Sequence, residues 1–113
     1  MRIALVDDCL DDLSIMHQFL AEALDTDSVI TEFHNGEDFL QHWSADTFDL
    51  IVLDIYMEQL TGIEIARVIR ETDPNVCLVF ASTSNEFASE SYEVNACYYL
   101  HKPFFEATGS CNA

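Results

Sequence analysis

Five short apolar runs, each of four or five residues, alternate along the chain with segments of helical spacing. The runs are Ile3–Val6, Val29–Phe33, Leu50–Leu53, Cys77–Ala81 and Ala96–Leu100. Each run is nearly continuous in apolar character, which is typical of strands that helices cover on both faces of a sheet. Repeated strand–helix order within 113 residues predicts a single α/β domain. Its five-stranded parallel sheet is expected to be doubly wound, with right-handed crossovers.

Helices are predicted between these strands because apolar residues recur there three or four positions apart. Their expected starts are Asp11–Asp12, Asn35–Gly36, Gly62 and Ser84–Asn85. After the fifth strand, the segment from Glu106 to Ala113 has no such spacing, so the last covering helix is expected to be missing. We therefore interpret residues 1–104 as one domain and residues 105–113 as a truncated or non-native tail, which comes from an expressed fragment or an altered reading frame.

The charge of the chain excludes several kinds of partner. Four Lys and Arg residues against 21 Asp and Glu residues give a net charge of −17. Such an acidic surface repels phosphate backbones and anionic lipids, so the domain is not expected to bind nucleic acid or membranes by itself. No apolar run is long enough for a membrane span.

The four cysteines are widely spaced without a Cys-x-x-Cys pair, which argues against a disulfide framework and favours a cytoplasmic location.

Several chemically active side chains come directly after the predicted strands. In an open parallel sheet, function gathers outside the carboxyl ends of the strands. The residues at those ends are Asp7, Asp8, Asp54, Ser82 and Lys102. Clustered carboxylates with oxygen ligands and open positions suit Mg²⁺, and a lysine can pair with a phosphoryl oxygen. This set of groups predicts phosphoryl transfer onto a carboxylate.

The order and spacing of these residues resemble the receiver domain of two-component response regulators. The resemblance covers about residues 2–104 and rests on five stretches. They are Leu5–Asp8, Asp49–Met57, Gly62, Val79–Ser82 and Tyr98–Phe104. It implies a CheY-like, flavodoxin-like sheet with strand order 2-1-3-4-5. It also implies a switch that a histidine kinase phosphorylates, and which is an enzyme only through self-phosphorylation and self-dephosphorylation.

Roles for individual residues follow from the same resemblance. Asp54 would be the phosphoacceptor, while Asp7 and Asp8 would form the acidic pocket for Mg²⁺. Asp8, Asp54 and the main-chain carbonyl of Tyr56 would be its direct ligands. Lys102 would pair with the phosphoryl group. Ser82 and Tyr99 would form the switch that responds to phosphorylation.

The stretches Val79–Ser82, Asn85–Ala88 and Tyr99–Phe104 look most similar to receivers that are attached to LytTR-type DNA-binding domains. The resemblance therefore implies control of transcription through such an output domain. The family usually has Met-Pro after the phosphoacceptor turn, whereas this chain has Met57-Glu58.

Two other classes of function remain open from the sequence alone. One is a Mg²⁺-dependent phosphatase with an aspartyl nucleophile, although such enzymes use Asp-x-Asp where this chain has adjacent Asp7 and Asp8. The other is a pseudo-receiver that acts only as a protein-interaction module.

Self-association is a further expectation, because a missing last helix would leave an apolar strip beside the fifth strand. Self-association as a homodimer through that strip is predicted.

Overall fold

A computed structural model describes residues 1–24, 27–44, 47–57, 60–82 and 88–101 of the chain. Within them, five strands form one sheet in the order β2-β1-β3-β4-β5, and every neighbouring pair is parallel. The strands are β1 (Arg2–Val6), β2 (Val29–Phe33), β3 (Leu50–Asp54), β4 (Cys77–Ser82) and β5 (Tyr98–His101). The predicted doubly wound sheet and its strand order are confirmed.

Four helices connect these strands in the described part of the chain. They are α1 (Leu10–Ala23), α2 (Gly36–His42), α3 (Gly62–Thr72) and α4 (Ala88–Glu93). As predicted, Asn35 caps α2, and its Oδ1 accepts a hydrogen bond of 2.7 Å from the Asp38 amide. The predicted caps of α4, Ser84 and Asn85, lie outside the described residues. None of these helices combines the length and the apolar character needed to cross a bilayer.

Two apolar clusters pack on the two faces of the sheet. One joins Phe39 of α2 and Ile65 and Ile69 of α3 to strand residues such as Leu53 and Phe80. The other joins Leu13 and Met16 of α1 to the opposite face, with strand residues Ile3, Leu5, Val52, Val79 and Ala81. The inner strands β1, β3 and β4 are therefore buried on both faces, which explains why their sequences are continuous apolar runs, whereas the edge strand β2 is mostly exposed.

The fifth strand begins later than the sequence predicts. The apolar run starts at Ala96, but β5 starts at Tyr98. Asn95 adopts a left-handed conformation with φ of 53°, and the Ala96 amide donates back to the Ser91 carbonyl at 3.0 Å. These contacts place Ala96 in the turn that follows α4, so its apolar side chain covers the core without joining the sheet.

The predicted homodimer receives no support from the sheet face that was expected to be open. On that face, Val52, Val79 and Ala81 are only 5%, 6% and 0% exposed. These residues belong to β3 and β4, so the strip that was expected beside β5 is not tested by them, and the homodimer stays a prediction without support. The predicted loss of the last helix concerns residues 102–113, which lie outside the described residues.

Candidate functional site

Three carboxylates meet at the carboxyl edge of the sheet, as the sequence predicts. Asp7 and Asp8 directly follow β1, Asp54 ends β3, and these two strands are hydrogen-bonded neighbours. One oxygen from each of the three carboxylates lies within 4.8 Å of the others. Asp7 and Asp54 are buried, with 0% and 6% exposure, whereas Asp8 is exposed. The cluster therefore has a buried base and one side that a ligand can reach.

Main-chain contacts fix the ends of the strands that carry these carboxylates. The Asp7 amide donates to the Phe33 carbonyl at 3.1 Å, which extends the pairing of β1 with β2. The Asp7 carboxylate then accepts a hydrogen bond of 2.9 Å from the Cys9 amide. This turn directs the chain into α1, and it gives the Asp7 carboxylate a structural role at the start of the helix.

The other wall of the site is formed where β3 leads towards α3. The Ile55 amide donates to the Ala81 carbonyl at 3.3 Å, and the Gly62 amide donates to the Ile55 carbonyl at 3.0 Å. Thr61 caps α3 in a reciprocal arrangement with Glu64. The start of α3 is thereby held against the backbone that follows Asp54.

The donor set of this site fits a hard divalent cation. Asp7, Asp8 and Asp54 offer only oxygen ligands, and such ligands favour Mg²⁺ over soft metals. Two buried anions beside a third carry mutual repulsion, which a bound cation would relieve. The adjacent cavity of about 420 Å³ is lined by Asp8 together with Met57 and Leu60, so the exposed side of the cluster has room for a small ligand.

The predicted switch residues lie on the two strands beyond Asp54. Ser82 ends β4 and is fully buried, one position after the residue that pairs with Asp54 in the sheet. Tyr99 lies on β5, with its ring centroid 6.5 Å from that of Phe80 and the two planes at 56°. Tyr56 follows Asp54 by two residues and is 37% exposed. Lys102 lies outside the described residues, so its predicted role stays a prediction.

The cysteines correct one expectation from the sequence. Cys9 is disulfide-bonded, which the wide spacing of the cysteines did not indicate. Cys77 and Cys97 are free, as expected. Cys9 also caps α1, because its Sγ accepts a hydrogen bond of 3.5 Å from the Asp12 amide.

Two contacts that support the site were not deduced from the sequence. A Cβ on Gly62 would overlap the main-chain carbonyl of Asp54, so the start of α3 requires a residue without a side chain. The spacing Thr61-x-x-Glu64 beside this glycine is a readable signal for the helix start. Arg70 donates to three main-chain carbonyls, of which two lie 24 and 25 residues away. No local pattern could have indicated that contact.

Comparisons with known proteins agree with this geometry. The family described as the response regulator receiver domain matches residues 3–109. The sensory transduction protein LytR of Staphylococcus epidermidis is 36% identical over 87 residues, which are 77% of this chain and 34% of that protein. LytR of Staphylococcus haemolyticus is 32% identical over 104 residues, which are 92% of this chain and 40% of that protein. The chain thus spans well under half the length of these curated relatives.

A solved structure of a response regulator has a similar fold. The response regulator TrrA of Thermotoga maritima, crystallised in complex with Mg²⁺-BeF, is 28% identical, with a TM-score of 0.72. The alignment covers 91% of this chain and 87% of that one. The match over residues 3–109 spans β1 to β5 and the three clustered carboxylates. The chain belongs to the response regulator receiver domain family of two-component systems.

Proposed function

We propose that this domain is a phosphorylation-controlled switch whose phosphoacceptor is Asp54 and whose phosphodonor is a histidine kinase. The observation that carries this proposal is the convergence of Asp7, Asp8 and Asp54 within 4.8 Å at the edge of the sheet. Asp54 is buried at the end of β3, the central strand of the sheet. Family membership supports the same assignment.

The chemistry is a transfer of one phosphoryl group. An oxygen of the Asp54 carboxylate forms a bond to phosphorus, while the bond from phosphorus to the imidazole nitrogen of the kinase breaks. The electron pair of that bond stays on the imidazole, which takes a proton from solvent. Asp8, Asp54 and the Tyr56 carbonyl would hold Mg²⁺, with Asp7 beside them. When bound, Mg²⁺ supplies positive charge that neutralises the carboxylates and the phosphoryl oxygens.

The residues around Asp54 have separate tasks in this scheme. Lys102 pairs with a phosphoryl oxygen as a point charge. The Ser82 hydroxyl donates a hydrogen bond to another phosphoryl oxygen, which draws it away from its resting position. The space that it leaves admits the ring of Tyr99. This is a two-state element that a local change of charge biases.

A receiver domain is a signalling domain, so turnover here is limited to self-phosphorylation and self-dephosphorylation of Asp54. We place it in the cytoplasm, where a kinase charged by ATP is available. We propose that, within a longer protein, this receiver controls an attached LytTR-type DNA-binding domain, because its curated relatives are LytR proteins. The charge of −17 makes DNA contact by the receiver alone unfavourable.

Labelling with acetyl phosphate tests the assignment of Asp54. The wild-type chain is expected to gain a Mg²⁺-dependent, hydroxylamine-sensitive phosphoryl group. Asp54→Asn is expected to lose it while its circular dichroism is unchanged. Asp49→Asn is the matched control, because Asp49 lies just before the same strand but at the opposite edge of the sheet. Full labelling of Asp54→Asn would exclude the proposed phosphoacceptor.

The same experiment separates the alternative functions. A phosphatase with an aspartyl nucleophile would release phosphate from a phosphomonoester over many turnovers. A pseudo-receiver would take up no label at all. For the output domain, full-length protein treated with beryllofluoride is expected to bind its DNA site more tightly in a gel-shift assay. Equal affinity with and without beryllofluoride would contradict that part of the assignment.

A further inference from the structure

Two free thiols meet at the edge of the sheet where β4 begins. Cys77 is the first residue of β4, and Cys97 directly precedes β5. The Cys97 amide donates to the carbonyl of Leu78 at 2.7 Å, so the two backbones run side by side at this point. The Cys97 thiol lies near enough to Cys77 to affect its pKa, and neither thiol is in a disulfide.

The two cysteines differ in their surroundings. Cys97 is exposed, whereas Cys77 is half-buried against the apolar cluster that α1 also joins. Burial, together with the neighbouring Cys97 thiol, raises the pKa of Cys77 to about 12. Cys77 therefore stays protonated at neutral pH and is protected from solvent, while Cys97 is the thiol that an oxidant in solution meets first.

A positive charge lies beside this pair in a chain that has only four Lys and Arg residues. The charge of Arg70 acts on Cys77 and opposes the rise of its pKa. The Arg70 guanidinium also donates to the carbonyls of Val94 at 2.6 Å and Asn95 at 3.1 Å, directly before Ala96 and Cys97. Reactive cysteines are found in partly exposed environments with such a cation nearby.

We infer that Cys77 and Cys97 form a redox-sensitive dithiol, which a peroxide oxidises to an intrachain disulfide between the starts of β4 and β5. Cys97 is the first thiol to react. Its sulfur attacks one peroxide oxygen, the O–O bond breaks, and the products are a sulfenic acid and water. The Cys77 thiol loses its proton as its sulfur attacks the Cys97 sulfur, the S–O bond of the sulfenic acid breaks, and the hydroxyl leaves with that proton as a second water. Two thiols supply the two electrons that reduce one hydrogen peroxide.

This modification site is separate from the carboxylate cluster. Cys77 begins β4 and Ser82 ends it, so the two lie at opposite ends of a six-residue strand, about 17 Å apart. The inference therefore does not depend on phosphorylation of Asp54. The disulfide would join β5, which carries Tyr99, covalently to its neighbour in the sheet.

Oxidation of the full 113-residue chain by hydrogen peroxide tests the inference. Cys9→Ser and Cys111→Ser are introduced together, so that Cys77 and Cys97 are the only thiols. The expected product has lost two hydrogens in intact-mass analysis and runs as a monomer on a non-reducing gel. Non-reducing digestion is expected to join the Cys77 and Cys97 peptides, and a phosphine reductant is expected to separate them. The oxidised chain should also melt several degrees higher, because the bond closes a loop in the unfolded state.

Single variants identify the order of the steps. In the Cys77→Ser chain, dimedone is expected to trap a sulfenic acid on Cys97, since the second thiol is absent. In the Cys97→Ser chain, Cys77 is expected to remain reduced under the same conditions. Cys97 is exposed, so this substitution leaves the fold intact, which a thermal melt verifies. Sulfinic acid on Cys97 beside an unmodified Cys77, a disulfide-linked dimer, or no reaction of either thiol would overturn the inference.

Discussion

Gly62 is packed directly against Asp54. A Cβ at residue 62 would overlap the Asp54 carbonyl oxygen and would lie only 3.0 Å from its carbonyl carbon. The Gly62 amide also donates to the Ile55 carbonyl at 3.0 Å. The backbone of the proposed phosphoacceptor is thus held by the first residue of α3, and glycine is required because of close approach and not because of an unusual φ.

Gly62→Ala is therefore expected to destabilise the fold. Backbone atoms cannot move away as side chains do, so the added methyl group should cost about 2 kcal/mol of unfolding free energy, as overpacking does. Gly36→Ala is the matched control, since Gly36 is also the first residue of a helix, but its Cβ would meet mainly the terminal methyl group of the Ile65 side chain and no backbone atom. Urea unfolding of both variants checks this. A smaller loss for Gly62→Ala than for Gly36→Ala would contradict it.

Asp8 and Asp7 are expected to differ in their effects on metal affinity. Asp8 is exposed towards the cavity, whereas the Asp7 carboxylate is buried and accepts the Cys9 amide. Loss of a residue that only hydrogen-bonds to a metal ligand already lowers metal affinity roughly tenfold. Asp8 is a proposed direct ligand, so Asp8→Asn should weaken Mg²⁺ binding by at least about that factor. Asp7→Asn should weaken it less. Calorimetric titration with Mg²⁺ measures both, and the reverse ranking would refute the assignment of ligands.

Stability without metal gives a second difference between these two residues. Asp8→Asn removes one of three clustered negative charges, so the apo chain should melt at a higher temperature than wild type. Asp7→Ala instead leaves the Cys9 amide without its 2.9 Å acceptor, so that chain should melt lower. Differential scanning calorimetry in excess chelator records both shifts. A lower midpoint for Asp8→Asn would show that repulsion within the cluster is unimportant.

Much of this arrangement could be read from the sequence, because it depends on local patterns. Strands buried on both faces give continuous apolar runs, and residues that follow parallel strands must meet at one edge. These two facts predict that Asp7, Asp8 and Asp54 meet at the carboxyl edge of the sheet. The family resemblance implies switch roles for Ser82 and Tyr99, which stay predictions and which the strand pattern alone could not assign.

The remaining features depend on contacts between distant parts of the chain. The start of β5 was misplaced because Ala96 is apolar, yet the left-handed turn at Asn95 keeps it out of the sheet. The Arg70 contacts and the meeting of Cys77 with Cys97 join residues 20 to 25 positions apart. Residue type and spacing give no information about such pairs, which only the folded topology brings together.

Tyr56 is expected to lengthen the life of the phosphorylated state. In this family, the position two residues after the phosphoacceptor flanks the route of the hydrolytic water, and here it holds a large side chain that is 37% exposed. Tyr56→Asn should shorten the lifetime of the phosphoryl group on Asp54. Tyr56→Phe keeps the ring and should leave it unchanged. Decay of the labelled chain on phosphate-affinity gels gives the lifetimes, and equal decay of Tyr56→Asn and wild type would exclude this role.

Asp49 is expected to make a contribution to stability that depends on pH. The Arg2 amide, which donates to Asp49 at 2.8 Å, and the Arg2 side chain hold the Asp49 pKa below its usual 3.8. A lowered folded-state pKa stabilises the fold above the unfolded pKa, and this stabilisation is lost as the pH falls through the folded value. Asp49→Asn should therefore melt below wild type at pH 6, with the difference disappearing as the pH falls from 3.8 through the lowered folded-state pKa. Arg2→Ala should retain much of this dependence, because it keeps the main-chain amide. A difference in melting temperature between Asp49→Asn and wild type that stays constant from pH 6 to the most acidic pH measured would contradict this prediction.

Arg70 is expected to be the most important cation for the fold among the described residues. Its guanidinium donates to the carbonyls of Val94, Asp73 and Asn95 at 2.6, 3.1 and 3.1 Å, and so ties the end of α3 to the turn before β5. Arg70→Met keeps the apolar stem but leaves these carbonyls without their charged donor. Hydrogen bonds to charged groups contribute roughly 1.5–3 kcal/mol each, and their losses overlap at one residue, so a total of about 3 kcal/mol is expected.

Arg67→Met on the same helix is the matched control for that variant. Arg67 lies 3.5 Å from Glu93, and both side chains are more than half exposed, so its loss should cost less than about 1 kcal/mol. Urea unfolding gives both values, and hydrogen exchange should show faster exchange of the Ala96 and Cys97 amides in Arg70→Met alone. Those amides donate to Ser91 and Leu78, so their protection reports directly on the turn that Arg70 holds. Equal losses of stability in the two variants, or unchanged exchange at these amides, would mean that Arg70 does not hold this turn in place.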